Sequence, residues 1–185
     1  MSSRADARRN RQRLLETATR LFAERGAANV SMDELAAAAG VGKGTIYRSF
    51  GDRAGLALAL LDESERELQE GLIRGEPPLG PGAPPPERVG AFVRAYVALL
   101  EEHVDLIVES QTASAGARYR SGAHGAWRDH LALLARTGGV DDSLLPDLIL
   151  GTLDGSLYRH LRENRGFPPD LIADAVELVA LGVFR

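Results

Sequence analysis

The chain has 185 residues, a formal net charge of −4 and no cysteine. This length suits one or two domains with real cores, and the lack of cysteine excludes disulfides and thiolate metal sites. The arginine-rich start lacks the apolar segment of a secretory signal, and no apolar run reaches the roughly 18 residues of a membrane span. We therefore expect a cytoplasmic protein that does not enter a membrane.

The charge is distributed unevenly along the chain. Residues 1–55 carry ten Lys and Arg against six Asp and Glu, while the remainder carries twelve basic and twenty acidic residues. Such asymmetry is typical of a basic nucleic-acid-binding module attached to an acidic body. The overall negative charge alone would have argued against nucleic-acid binding.

Two short helices with clear boundary signals are predicted in the first 40 residues. The first is amphipathic and ends near Gly26; its apolar positions, spaced as on one helix face, are Leu14, Leu15, Ala18, Leu21 and Phe22. Ser31 and Glu34 have the spacing of a capping box, which predicts the start of a second helix. That helix is alanine-rich and stops at Gly40, a residue free to adopt the positive φ of a tight turn.

A third helix is predicted from Gly42 to about Phe50, ending at Gly51, and Asp52 caps a longer fourth helix. Residues 75–86 hold six of the nine prolines and are predicted to be a loop. Further helices are predicted over residues 87–100, 104–114, 117–137, 143–165 and 168–184. No segment alternates with period two over the length of a strand, so the predicted fold class is all-α.

The second and third helices form a helix-turn-helix pattern, in which the second helix of the motif enters the DNA major groove. Ile46 and Phe50 are four residues apart, so both can face the core of the module. Lys43, Gly44 and Tyr47 then point away from it. The start of the helix adds exposed N–H groups and a positive dipole end, both of which attract phosphate.

These directions suggest individual roles on DNA. Lys43, the only lysine in the chain, can reach a guanine edge or a phosphate, and Thr45 offers a hydroxyl and a methyl group to bases. Tyr47 is expected to donate its hydroxyl to a phosphate, Arg48 to contact phosphate or base, and Arg53 to contact the DNA backbone.

Residues 12–56 closely resemble the N-terminal domain of TetR-family transcriptional regulators. The resemblance lies in Leu14-Leu15-x-x-Ala18-x-x-Leu21-Phe22-Ala23-Glu24-x-Gly26, Ser31-Met32-x-x-Leu35-Ala36, Ala39-Gly40-Val41-Gly42-Lys43-Gly44-Thr45-Ile46-Tyr47-x-x-Phe50 and Asp52-Arg53-x-x-Leu56. It implies an all-helical homodimer that represses transcription from a palindromic operator in double-stranded DNA and leaves it when a small-molecule effector binds. The expected domains are a DNA-binding domain over residues 1–51 and an effector-binding and dimerisation domain over residues 52–185.

Two positions depart from the usual pattern of the family. Gly42 stands where Ser or Thr usually caps the recognition helix, and Ser49 stands where His or Tyr often contacts the DNA backbone. A glycine cap costs a few tenths of a kcal/mol, and the contact from the shorter Ser49 is expected to be weaker or lost. With these positions considered, the predicted DNA-binding residues are Lys43, Gly44, Thr45, Tyr47, Arg48, Ser49 and Arg53.

The second half of the chain matches the family only loosely, and its site residues are predicted from their type. The ligand-pocket candidates are aromatic and polar groups among apolar helices: Tyr96, Glu109, Tyr119, His124, Trp127, His130 and Tyr158. The residues predicted for a dimer interface of two apolar C-terminal helices per protomer are Leu150, Leu153, Leu157, Leu161, Ile172, Val176 and Val179. The stretch from Gly116 to Arg128 is similar to one C-terminal subgroup of the family.

Other functions agree less well with the sequence. The segment from Gly40 to Thr45 resembles part of a phosphate-binding P-loop, but Ala37 and Gly44 stand where that motif requires a glycine and a hydroxyl residue. No HExxH motif or cysteine cluster is present, so no metal, no cofactor and no enzymatic activity are expected. A transcriptional activator and a non-catalytic helical module that binds a ligand or a protein partner remain the alternatives to a repressor.

Overall fold

The protein, analysed as a computed structural model, is described over residues 4–112, 119 and 121–184, and these residues form helices and loops without a strand. The α-helices are α1 (Arg4–Arg25), α2 (Met32–Ala38), α3 (Lys43–Phe50), α4 (Arg53–Arg74), α5 (Pro85–Thr112), α6 (Gly122–Thr137), α7 (Leu145–Thr152), α8 (Gly155–Arg159) and α9 (Pro169–Leu181). The expected all-α fold class is therefore confirmed.

The described residues divide into two compact units. The first comprises residues 4–62 and 105–112, and the second comprises residues 63–104, 119 and 121–184. Each unit thus draws on both α4 and α5. The predicted boundary between residues 51 and 52 marks a division of function and stays a prediction.

The first unit is built around one apolar core that α1, α2, α3 and the start of α4 share. The predicted apolar face of α1 supplies Leu14, Ala18 and Leu21 to this core. Leu35 from α2 and Ile46 from α3 are fully buried in it. Burial of such side chains contributes roughly 1.5–3 kcal/mol each, which fixes how α3 lies against α1 and α2.

The boundaries of α2 and α3 follow the predicted local signals. The Ser31 hydroxyl accepts a hydrogen bond from the Glu34 amide at 3.2 Å, and the Glu34 carboxylate accepts one from the Ser31 amide at 2.8 Å. This reciprocal pair is the predicted capping box. Gly40, between the two helices, has φ +64°, a left-handed conformation that side chains other than glycine rarely adopt.

The long helix α5 replaces two helices predicted over residues 87–100 and 104–114. It runs without interruption from Pro85 to Thr112 except at His103, whose backbone is non-helical with φ −128° and ψ 20°. The predicted break is therefore a kink within one helix. The His103 ring lies 2.9 Å from the Ser64 hydroxyl of α4. Residues 113 and 114 of the predicted second helix lie outside the described residues.

The helix predicted over residues 143–165 is divided in the structure. Helix α7 ends at Thr152. Helix α8 begins at Gly155 because the Asp154 carboxylate accepts hydrogen bonds from the amides of Ser156 and Leu157, both at 3.0 Å. A π-helical turn over His160–Asn164 follows α8. The prediction of one continuous helix was therefore wrong.

The remaining helices agree more closely with the predicted ranges. Ser121 caps α6, which ends at Thr137 as expected, while residues 117, 118 and 120 of the predicted range are not among the described ones. The helix predicted to open at Pro168 runs over Pro169–Leu181. The proline-rich segment over residues 75–84 forms turns, and the Arg88 guanidinium donates a hydrogen bond to the Leu72 carbonyl at 2.9 Å across its ends.

Candidate functional site

Helix α3 presents one face to the core and leaves the opposite face open. Ile46 is fully buried and Phe50 nearly so, as their spacing predicted. Lys43, Gly44 and Tyr47 are exposed on the other face. A Cβ atom built on Gly44 would meet nothing within 4 Å, so the backbone there is open to a ligand.

The predicted DNA-binding residues on α3 differ in exposure. Arg48 is exposed, and its guanidinium lies 3.3 Å from the Thr45 hydroxyl. Thr45 and Ser49 are half-buried. Gly42 precedes the helix with extended backbone and, as its residue type implies, provides no side-chain cap. The Thr45 amide donates to the Gly42 carbonyl at 2.8 Å, so the N–H groups of the first turn that an anion from outside can meet are those of Lys43 and Gly44.

An ion pair ties Lys43 to α2. The Lys43 Nζ lies 2.7 Å from Asp33 Oδ2, and both side chains are well exposed, at 65% and 57%. The hydrogen bond that the ammonium donates to Asp33, together with the charge of that carboxylate, raises the pKa of Lys43. The ammonium group is thus held beside the first turn of α2.

Arg11 of α1 lies at the other end of α3, and sequence reasoning did not single it out. Its guanidinium lies 3.4 Å from the Ser49 carbonyl and 4.5 Å from the centre of the Phe50 ring. Such a cation–π contact is favourable and holds the arginine in place. An arginine-rich start was visible in the sequence, but nothing there distinguished Arg11 from its neighbours.

Arg53 is not placed as predicted. Its guanidinium donates hydrogen bonds to the carbonyls of Ala27 and Val30, and its Nε lies 3.1 Å from Glu109 Oε2. It also lies 5.7 Å from the centre of the Phe22 ring. Through these contacts the side chain points into the first unit, where it connects α1, α5 and the loop that precedes α2. It does not extend outward as a contact with a DNA backbone would require.

Three of the ligand-pocket candidates come together in the second unit. Tyr96, Trp127 and His130 surround Phe92, with ring centres 5.7, 6.1 and 6.2 Å from the Phe92 ring, and Tyr96 meets Trp127 edge-on at 6.1 Å. Phe92 was not predicted, because a phenylalanine on an apolar helix face gives no signal beyond core packing. We call these four side chains the aromatic cluster.

The other pocket candidates have different partners. The Tyr158 hydroxyl donates a hydrogen bond to Glu101 Oε2 at 2.6 Å. Tyr119 is exposed and meets the buried His124 ring edge-on, with centres 5.2 Å apart. Glu109 belongs to the first unit, where it pairs with Arg53. The seven candidates therefore divide among several sets of contacts, and their grouping into one ligand pocket stays a prediction.

Glu101 is held ionised by its surroundings. Arg162 donates to both of its oxygens, at 2.7 and 2.8 Å, and with Tyr158 lowers the pKa of Glu101 to about 2. Burial of the ring, and after it the Glu101 carboxylate, raise the pKa of Tyr158. The Tyr158 hydroxyl therefore stays neutral and serves as a structural donor.

Because His130 is hard to protonate in the folded protein, we expect the protein to lose stability in mild acid. Burial, and secondarily the charge of Arg88, lower its pKa from 6.5 to about 4. The unfolded chain therefore takes up a proton that the folded chain refuses, so the free energy of unfolding falls as the pH drops from 6.5 to about 4. We expect about 2 kcal/mol from this group after allowing for its partial exposure.

Urea unfolding at several pH values tests this prediction. A His130→Phe variant keeps the ring contact with Phe92 and lacks the titrating group, so its stability should change less between pH 7 and 4. The same pH dependence in both proteins would contradict the prediction.

The predicted interface residues fall into two groups in the second unit. Leu150 and Leu153 are fully buried inside the protomer and belong to its own core. The other five line an apolar groove of about 300 Å³ between α7, α8 and α9. Its lining consists of Thr152, Leu157, Leu161, Phe167, Leu171, Ile172, Ala175, Val176 and Val179.

The described part of the chain contains neither a membrane-spanning helix nor a group of metal ligands. None of its helices is both long and apolar enough to cross a membrane. Within the same residues, no three His, Cys, Asp or Glu side chains come together as metal ligands would.

Known proteins resemble the chain most strongly at its N-terminal end. Residues 14–60 match the model of "Bacterial regulatory proteins, tetR family". An HTH-type transcriptional regulator of Staphylococcus aureus is 49% identical over 53 residues, which are 29% of this chain and 29% of that protein. The matched region thus spans less than a third of the curated relative.

Solved structures resemble nearly the whole chain. A TetR-family transcriptional regulator from Pectobacterium atrosepticum is 26% identical, with a TM-score of 0.69 over 98% of this chain and 97% of that one. The FadR repressor of Thermus thermophilus, solved in complex with lauroyl-CoA, gives a TM-score of 0.68 at 22% identity over 92% and 93% of the two chains. The latter similarity establishes the fold alone.

Proposed function

The chain belongs to the TetR family of transcriptional regulators, and on this premise we propose that it is a repressor that a small-molecule effector releases from a palindromic operator. The observation that carries the DNA-binding part is the open face of α3. Lys43, Gly44, Tyr47 and Arg48 are exposed there, while Ile46 and Phe50 anchor the same helix in the core. A helix held in this way can enter a major groove without disturbing the domain.

Phosphate binding supplements base contacts in this proposal. The uncapped start of α3 offers backbone N–H groups, and the open surface over Gly44 lets a phosphate approach them. Arg11 adds a cation at the far end of the helix, beside Ser49. We infer that Arg11 supplies the backbone contact that Ser49 is too short to make.

We further propose that the protein acts as a homodimer. The groove between α7, α8 and α9 is almost wholly apolar, and Leu157 and Val179 on it are 43% and 62% exposed. An equivalent face on a second copy would cover these side chains through a two-fold contact. A palindromic operator matches such a dimer, with one half-site for each α3.

The effector site is proposed to lie in the second unit, beside the aromatic cluster. Tyr96 and Trp127 provide apolar walls there, and the buried Nε2 of His130 has no hydrogen-bond partner among the described residues. Thermus FadR, which has the same fold, was solved with lauroyl-CoA bound. Since regulators act where the chromosome is, we place this protein in the cytoplasm.

Selection of bound sequences from a random DNA pool tests the proposal directly. The expected result is an enriched near-palindrome with half-site centres about one helical turn, roughly 34–36 Å, apart. Binding to it should weaken steeply with salt as counterions are released. A pool without enrichment would contradict operator binding.

The roles of Lys43 and Tyr47 lead to different expected losses. Tyr47→Phe removes one phosphate donor, so we expect a loss of roughly 3- to 10-fold that is equal on operator and random DNA. Lys43→Met should lose more on the operator than on random DNA, by roughly 10-fold or more, because a base contact discriminates by about 1–3 kcal/mol. Gel-shift titrations on both DNAs measure these ratios; equal losses for Lys43→Met would remove it from base reading.

A further inference from the structure

The ion pair between Asp33 and Lys43 is not explained by stability. Both groups are more than half exposed, and exposed pairs of this kind add little to stability. The pair instead joins the two helices of the DNA-binding motif at the surface that α3 presents. Its lysine is the only one in the chain.

Asp33 is an unexpected charge on a surface that binds phosphates. It lies in the first turn of α2, where the helix dipole favours a carboxylate. Beside DNA, however, the same carboxylate repels phosphate and cancels the charge of Lys43. The paired ammonium therefore adds little to the sequence-independent attraction of DNA.

The pair also restricts where the ammonium group can be. A lysine side chain is flexible and loses much of its rotamer freedom when it is fixed. The bond to Asp33 at 2.7 Å fixes it before DNA arrives and uses one of its three N–H donors. The other two remain for acceptors such as guanine O6 and N7.

We propose that Asp33 is a positioning residue for sequence selection: it holds Lys43 for base contact and prevents it from binding phosphates indiscriminately. The inference rests on the proposed function, since it requires α3 to read DNA. It assigns to an acidic residue of α2 a share in the discrimination between operator and random DNA.

Asp33→Asn tests the inference against a matched control. The control is Glu24→Gln, which removes an equally exposed acid paired with Arg20 at 3.2 Å on α1. Asp33→Asn should raise affinity for random DNA roughly tenfold at 0.1 M salt and steepen the salt dependence by about one counterion. Affinity for the selected operator should not rise, so the operator-to-random ratio should fall roughly tenfold. Glu24→Gln should change the ratio less than twofold.

The same substitution in a Lys43→Met background shows whether Asp33 acts through the lysine. There, Asp33→Asn should change the ratio no more than the control does. The inference would be overturned if Asp33→Asn left the operator-to-random ratio unchanged, or if it changed that ratio equally with and without Lys43. Operator binding itself would stand in either case. If the wild-type protein enriched no sequence, the proposed function and the inference would both be overturned.

Discussion

Replacing Arg53 with methionine is expected to lower the free energy of unfolding by about 2–3 kcal/mol. The substitution removes the guanidinium that donates hydrogen bonds to the carbonyls of Ala27 and Val30 and lies beside the Glu109 carboxylate. Two part-buried carbonyls that lose a charged donor cost about this much together in proteins. Urea unfolding followed by circular dichroism measures the change.

Arg48→Met is the matched control, because Arg48 is an exposed cation on α3. Its unfolding free energy should stay within about 0.5 kcal/mol of the wild type, while its affinity for DNA falls. The two arginines should therefore separate stability from DNA binding. If Arg53→Met lost affinity with no loss of stability, the side chain would contact the DNA backbone as its position in the sequence first indicated.

The DNA-binding half was predictable because its signals are local. The capping box of Ser31 and Glu34 spans four residues, and Gly40 marks a turn by its own conformational freedom. The spacing of Ile46 and Phe50 indicates which face of α3 is buried, and therefore which residues remain for DNA. None of these deductions needed the tertiary structure.

The C-terminal helices were less predictable because their apolar pattern continues across the break. Leu150, Leu153 and Leu157 keep helical spacing, and Leu153 is as deeply buried as Leu150. The division at Asp154 depends on its carboxylate binding two amides, a contact that competes with a helical conformation. Asp154 followed by Gly155 is the local signal of this break, and the prediction did not use it.

The contacts of charged residues between elements far apart in the sequence could not be predicted. Arg53 meets Glu109, and Arg11 meets Phe50, through contacts between elements far apart in the sequence. The side chains of Arg and Glu are long and can reach several neighbours, so periodicity does not choose among them. The contacts of Arg53 and Glu109 differ from the predicted ones for this reason. The prediction of which face of α3 is exposed did not depend on any ion pair.

The largest expected effect on DNA binding comes from a site that does not touch DNA. Leu157→Glu combined with Val179→Glu places two carboxylates on the apolar groove. Covering an unpaired charge costs several kcal/mol, so the double variant should be monomeric at micromolar concentration in sedimentation velocity. Each protomer then binds alone, and the gain of two linked half-sites, roughly 100-fold or more, is lost on the operator. Affinity for a single half-site should be unchanged.

Leu133→Glu provides the control, because this leucine of α6 is 51% exposed and does not line the groove. It should remain dimeric and keep its operator affinity, which would exclude a general effect of an added surface charge. The half-site measurement excludes damage to α3, since such damage would lower the affinity for the half-site as well as for the full operator. If the double variant sedimented as a dimer, the two protomers must join through another face, and the groove would be free for a different partner.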